Sequence, residues 1–252
     1  MKALPIALAS LCGIVAPALA MVGGAPPAGD SGRAVLLIVG SHGTSCTGVA
    51  LARDLALTAA HCVLPGADYK LVVFDAAQRP ALKDIASVVR HPQFDVNAVL
   101  RHQVTADVAL LKLAAPLDVA VAPLAAAGAP VAVGDRFVVA GYGLATPGDG
   151  RSGGVVRAAT LVATGQPGTL QVRLVDPAGQ GERAGLGACT GDSGAPVFAD
   201  RDGRLEVMGV VSWSTGPHNS AGCGGLTGVT PLARYRDWIV QTARTLGRPL
   251  GN

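Results

Sequence analysis

From Arg33 onward the chain alternates short apolar runs with turn residues. Arg33 to Gly40, Thr47 to Leu51 and Leu55 to Thr58 read as strands, the last two separated by the turn-forming Arg53-Asp54. Lys70 to Phe74, Ile85 to Arg90 and Asp107 to Leu113 continue the pattern. A second set follows at Arg136 to Ala140, Val155 to Val162, Leu170 to Val175, Pro196 to Phe198, Leu205 to Trp213 and Gly228 to Thr230. Closely spaced short strands with turn residues between them predict an all-β barrel or sandwich rather than alternating strands and helices. Ala114 to Gly134, rich in Ala, Pro and Val, reads as a surface connection between two halves. One helix is expected, at the end, where Tyr235, Trp238, Ile239 and Thr242 fall at helical spacing after Pro231. Thr146 to Gly154 is Gly-rich and reads as a mobile loop. It lacks the Lys-Ser/Thr ending of a phosphate-binding loop.

Composition narrows the class. Half of the 252 residues are hydrophobic and 15% charged, which excludes disorder and allows a sizeable core. The net charge is +3 and the basic residues are scattered, so no nucleic-acid partner is expected. Residues 1–20 have the form of a secretory signal peptide: Lys2, an apolar stretch from Ala3 to Val15, then Ala18-Leu19-Ala20 before Met21. The apolar stretch is shorter than the ~20 residues a membrane anchor needs, and Pro5 and Pro17 interrupt the segment. The mature chain is therefore expected to be secreted or periplasmic, free of the membrane, and to begin at Met21 or, with cleavage after Ala18, at Leu19. Cys12 leaves with the peptide. Four cysteines remain, Cys46, Cys62, Cys189 and Cys223, and an even count in an exported chain predicts two disulfides with three possible pairings. None has zinc-ligand spacing to another, so no metal is expected.

Three stretches carry candidate chemistry. Gly191-Asp192-Ser193-Gly194 could be an ordinary turn, Thr58-Ala59-Ala60-His61-Cys62 a structural histidine beside a disulfide, and Asp107 a cap at the start of a strand. Serine catalysis, however, needs an imidazole to take the hydroxyl proton and a buried carboxylate to fix its tautomer. All three contexts occur in one exported all-β chain.

With these motifs the chain resembles the chymotrypsin-like serine proteases, of a bacterial secreted type. Met21-Val22-Gly23-Gly24 is similar to the family's mature amino terminus, and the stretches around His61, Asp107 and Ser193 follow its His, Asp, Ser order. Gly141-Tyr142-Gly143 and Ser212-Trp213 match further landmarks. The resemblance implies two six-stranded antiparallel β-barrels (about 21–118 and 131–232) and a C-terminal α-helix (about 234–246). It selects the disulfides Cys46–Cys62 and Cys189–Cys223. It implies Ser193 as nucleophile, His61 as base, Asp107 as its orienter and the amides of Gly191 and Ser193 as the oxyanion hole. Substrate would meet Gly187, Ala188, Ser212, Trp213, Ser214 and Gly228, with Gly187 at the base of an uncharged pocket that suits apolar or small residues rather than Arg or Lys.

Met21 and Asp192 would form the activating pair, made when signal peptidase frees the terminus without a stable zymogen. Met21 stands where the family carries Ile or Val, and Ala195 replaces its second glycine after the serine. The stretch Lys70 to Lys83 holds one acid, Asp75, so no calcium is expected. The resulting expectation is a monomeric endopeptidase acting on protein or peptide substrates without cofactors. A protease-fold binding protein without activity is the rival from another class. An α/β-hydrolase esterase using Ser193, Asp202 and His218 is disfavoured because Gly194-Ala195-Pro196-Val197 leads into a strand rather than a helix.

Overall fold

The computed structural model describes residues 21–75, 77, 79–126 and 130–251. The expected signal peptide and Cys12 lie outside them. Six strands, β1 (Val35–Gly40), β2 (Ser45–Ala52), β3 (Leu55–Thr58), β4 (Tyr69–Phe74), β5 (Pro80–Arg90) and β6 (Ala109–Leu113), close into an antiparallel barrel in the order β1-β2-β3-β6-β5-β4. The next six are β7 (Arg136–Gly141), β8 (Arg157–Thr164), β9 (Val172–Val175), β10 (Pro196–Arg201), β11 (Arg204–Ser214) and β12 (Thr227–Pro231). They close as β7-β8-β9-β12-β11-β10, the same strand order six strands later. This repetition of topology has no counterpart in the sequence, where no repeat is visible.

Period-two alternation explains why several strands read as unbroken apolar runs. In β3, Ala56 faces the core of the first barrel with Ile38, Leu71 and Leu111, whereas Leu55 and Leu57 belong to a second cluster with Leu110, Phe198, Val207 and Val210. That cluster joins the two barrels, so both faces of β3 are buried. Helix α2 (Arg236–Thr245) adds Ile239 and Ala243 to the same cluster. The tail beyond α2 is tied to the first barrel by Asp54, which accepts from Arg248 Nε at 2.5 Å and from Lys112 Nζ. The Arg248 guanidinium, with Lys112, holds the Asp54 carboxyl below its usual range despite burial.

Three features add to the expected picture. A short helix, α1 (Val96–Leu100), is present besides α2. Asp95 caps it by accepting from Asn97 N at 2.8 Å, and its single turn is too short for helical periodicity to show. The connection after β6 is not merely a surface crossing: Ala122 N donates to Ala50 O on the first barrel, and Leu124 bridges Val207 on the second. The Gly-rich loop 146–154 folds round Ser152, 3% exposed, whose Oγ accepts from Ala145 N and Thr146 N. No helix among the described residues is long and apolar enough to cross a membrane.

Candidate active site

The three chemical stretches approach from both barrels. His61 lies in a 3-10 turn (Ala60–Val63) that ends β3, Asp107 lies two residues before β6, and Ser193 sits in the loop entering β10. Asp107 is fully buried, where an unpaired carboxylate would be costly, and three donors satisfy it. They are His61 Nδ1 at 2.8 Å, His61 N at 3.0 Å and Ser212 Oγ at 2.5 Å. With Nδ1 donating its proton to Asp107, Nε2 is the ring's acceptor nitrogen in the neutral form. The ring remains 19% exposed.

His61 and Ser193 line one cleft of about 420 Å³ together with Gly191, Trp213 and Ser214. No hydrogen bond joins Ser193 to His61 in the free protein. Such contacts are often long before substrate binds and tighten in the complex. The Cys62 sulfur lies 3.9 Å from His61 Nε2 and 3.5 Å from Ser193 O, so the histidine turn and the serine loop meet at the disulfide Cys46–Cys62. Both its sulfurs are bonded to each other and offer no thiolate for a metal. Cys189–Cys223 forms the second disulfide and braces the serine loop against the segment after β11.

The serine loop is held so that two amides stay unengaged. Asp192 N donates to Cys189 O at 2.9 Å, Gly194 N to Val211 O at 2.7 Å and Ala195 N to Asp192 O at 2.9 Å. Among the described residues, the amides of Gly191 and Ser193 have no acceptor, and they flank the cleft. Two such donors can take an oxygen that gains negative charge. Sequence reading missed what fixes them. Thr47, fully buried on β2, donates through Oγ1 to Gly191 O at 2.8 Å, accepts from Tyr142 N at 3.0 Å, and sends its own amide to Ser193 O at 2.8 Å. Thr58 Oγ1 donates to Thr47 O at 2.7 Å. A threonine inside an apolar strand was the available signal, because a buried hydroxyl must find a partner. Gly194 has φ +79°, and a Cβ there would come within 2.1 Å of Thr58 Oγ1, which explains the glycine after the serine.

Asp192 is fully buried and accepts from Gly143 N and Cys189 N, each at 2.9 Å. A Cβ at Gly143 would lie 2.4 Å from the Asp192 carboxyl carbon, so this landmark glycine clears space for the acid. Burial pushes the carboxyl up to about 7, against the lowering pull of the two amides. Among the described residues no cation pairs with it. Met21 is fully buried in the core of the second barrel, and Val22 makes an antiparallel bridge to Gly187. Ala195, unexplained by sequence, places its methyl in the same cluster as Met21.

The pocket residues divide. Gly187 and Ala188 are buried side by side, Ser212 touches Asp107, and Trp213 and Ser214 line the cleft. Gly228 lies behind Trp213, which lines the cleft. It pairs with Trp213, and a Cβ there would sit 2.0 Å from the indole. Thr227, its neighbour on β12, reaches Ala188 and Gly187: its Oγ1 accepts from Ala188 N at 3.0 Å and lies 3.5 Å from where a Gly187 Cβ would be.

Comparison with known proteins gives the chain's family and fold. The family model described as Trypsin matches residues 21–239. The chain is 26% identical over 227 residues to snake venom serine protease rhinocerase 4 of Bitis rhinoceros, covering 87% of this chain and 86% of the relative. It is 28% identical over 221 residues to chymotrypsin-like elastase family member 1 of Rattus norvegicus, covering 79% of each. Among solved structures it is similar to human heparin binding protein, with a TM-score of 0.69 at 25% identity, covering 92% of this chain and 100% of that one.

Proposed function

The chain belongs to the trypsin family of serine proteases, and on that premise we propose that it is an active, exported endopeptidase of a bacterial type. Ser193 attacks the scissile carbonyl, His61 takes its proton and returns it to the leaving amine, and Asp107 holds the imidazole. The amides of Gly191 and Ser193 receive the oxyanion. The observation that carries this reading is the buried Asp107 bonded to Nδ1 of His61, a histidine that lines one cleft with Ser193. The missing direct bond between Ser193 and His61 is the one feature that suits an inactive binding protein. Incubation of the processed protein with peptide anilides, with and without a serine-directed inhibitor, separates the two: inhibitor-sensitive hydrolysis supports the enzyme, and none supports the binder.

Residue preference follows from the pocket base. No acid stands at Gly187, Ala188 or Thr227, and Ala188 and Thr227 are at most 1% exposed. An Arg or Lys side chain would enter without a partner, and a large ring would find the base closed by Thr227. Anilides ending in Ala or Val are expected to exceed those ending in Arg or Lys in kcat/KM by at least ~100-fold, about what an unpaired buried cation costs. Equal or faster cleavage after Arg would refute the assignment.

Activation fits removal of residues 1–20 by signal peptidase. A free α-amino group at Met21 would give Asp192 the cation it lacks. Asp192 has an ordinary value of 3.8 and a folded value of about 7. A carboxyl raised by folding contributes stability that is complete below the unfolded value and is lost as pH rises through the folded one. The unprocessed chain is therefore expected to be about 2 to 3 kcal/mol less stable at pH 8 than at pH 5. The chain starting at Met21 should lose far less, because the amine pairs with the carboxylate. Urea unfolding of both forms at the two pH values checks this. Equal pH dependence in the two would contradict the pairing.

A further inference from the structure

The loop between α1 and Asp107 places one residue in an unusual way. Val96–Leu100 forms α1, and the amides of His102 and Gln103 then donate to Val99 O at 2.9 Å and Ala98 O at 2.8 Å. These bonds close the helix with His102 in the left-handed region, φ 52°. Glycine is the usual residue at that position, because a side chain there is sterically strained. Strain of this kind persists where surrounding structure demands it, and it is found preferentially at functional sites. The left-handed turn brings the exposed imidazole against Trp213, which lines the cleft. Its ring stacks on the Trp213 indole with centroids 4.6 Å apart and planes 8° from parallel.

Trp213 is thereby covered twice. Gly228 lies so close that any Cβ would meet the ring, and His102 stacks on the indole as well, leaving the residue 8% exposed although it borders the cleft. Substrate running along the Ser212–Ser214 edge would meet the exposed imidazole where it would otherwise meet an indole face. A bare indole face favours large apolar side chains. An imidazole edge carries an N–H donor and covers that apolar area.

We infer that His102 is a specificity-determining residue for this chain's proteolytic reaction. Its imidazole, stacked on Trp213, closes the site to bulky apolar side chains two to four residues before the scissile bond. It selects side chains there that accept a hydrogen bond, such as Asn, Gln, Asp and Glu. The inference rests on the endopeptidase reading above.

The test uses the processed protein and two variants on four-residue peptide anilides that end in Ala and vary at the second, third and fourth positions before the bond. His102→Gly suits the left-handed turn and removes the stack. It is expected to raise kcat/KM for Phe or Leu relative to Asn or Asp by about tenfold at one or more of these positions, a factor typical of one aromatic contact. His102→Phe keeps a ring on Trp213 without the donor. It is expected to lose the preference for Asn and Asp by about threefold or more, the lower end of what one hydrogen bond contributes. Ratios in His102→Gly within twofold of the parent would overturn the inference while leaving the endopeptidase reading intact. A folded parent that neither cleaves any anilide nor is labelled by a fluorophosphonate would overturn both.

Discussion

Replacing Ser193 by alanine is expected to lower kcat on an Ala anilide by about 10⁶-fold, to the residual rate that binding and oxyanion donors alone provide. In the proposed mechanism the change removes the atom that attacks the substrate. It should leave the fold intact, because Ser193 meets its neighbours through its backbone: its carbonyl accepts from Thr47 N, and no side-chain hydrogen bond is lost. Stability should stay within about 0.5 kcal/mol of the parent. Adding His61→Ala to Ser193→Ala should cost little more, since residues that act as one unit are strongly non-additive. Steady-state kinetics and urea unfolding on the same preparations check both halves. A residual rate within tenfold of the parent would mean that another group performs the attack.

Asp107→Asn is expected to lower kcat by about 10⁴-fold with little change in KM. The side chain keeps its size, but half of its acceptor capacity becomes a donor. Asp107 now accepts from His61 Nδ1, His61 N and Ser212 Oγ. An amide nitrogen facing His61 Nδ1 would turn the imidazole to the other tautomer and put the proton on Nε2, where a lone pair is needed. Ser212→Ala, which removes one donor but leaves the tautomer, should have a much smaller effect. Comparable losses in the two variants would show that Asp107 serves the structure rather than the histidine. The measurement is kcat and KM for each, with unfolding free energies to separate damage to the fold.

The sequence made most strands legible because their cores are short apolar runs; boundaries were read to within a few residues at Leu55–Thr58 and Arg136–Gly141, whereas the exposed, charged first half of β5 was missed. What it concealed is long-range. Thr47 looked like one more strand residue, yet its hydroxyl and amide bolt the serine loop across a sequence separation of 144 residues. No local pattern reports that. Thr227 escaped notice too, because its bond to Ala188 N joins residues 39 positions apart. Helix α1 escaped because five residues make too little periodicity, and its cap at Asp95 was the only local sign. His102 was invisible for another reason: its importance lies in a left-handed φ and a stacked ring, neither of which composition encodes. The repeated barrel topology also left no trace, because a strand order can recur while every core side chain is different.

Ala195 and Asp192 show how packing completes the reading of one motif. Ala195 looked like a departure, and its methyl proves to fill the same apolar cluster as Met21. Asp192 looked like a turn former. It is instead a buried acid pushed up to about 7, with two amide donors and, among the described residues, no cation. A terminus arriving beside Met21 is the arrangement that would relieve that burial.

The most direct test is labelling. The processed, folded protein is treated with a fluorophosphonate, which reacts with a serine only when a base and an oxyanion site activate it, and the adduct is located by peptide mass mapping. The account predicts about one adduct per chain, on Ser193, and none in Asp107→Asn within the time that labels the parent completely. A folded, processed protein that stays unlabelled, or that carries its adduct on a different serine, would contradict it.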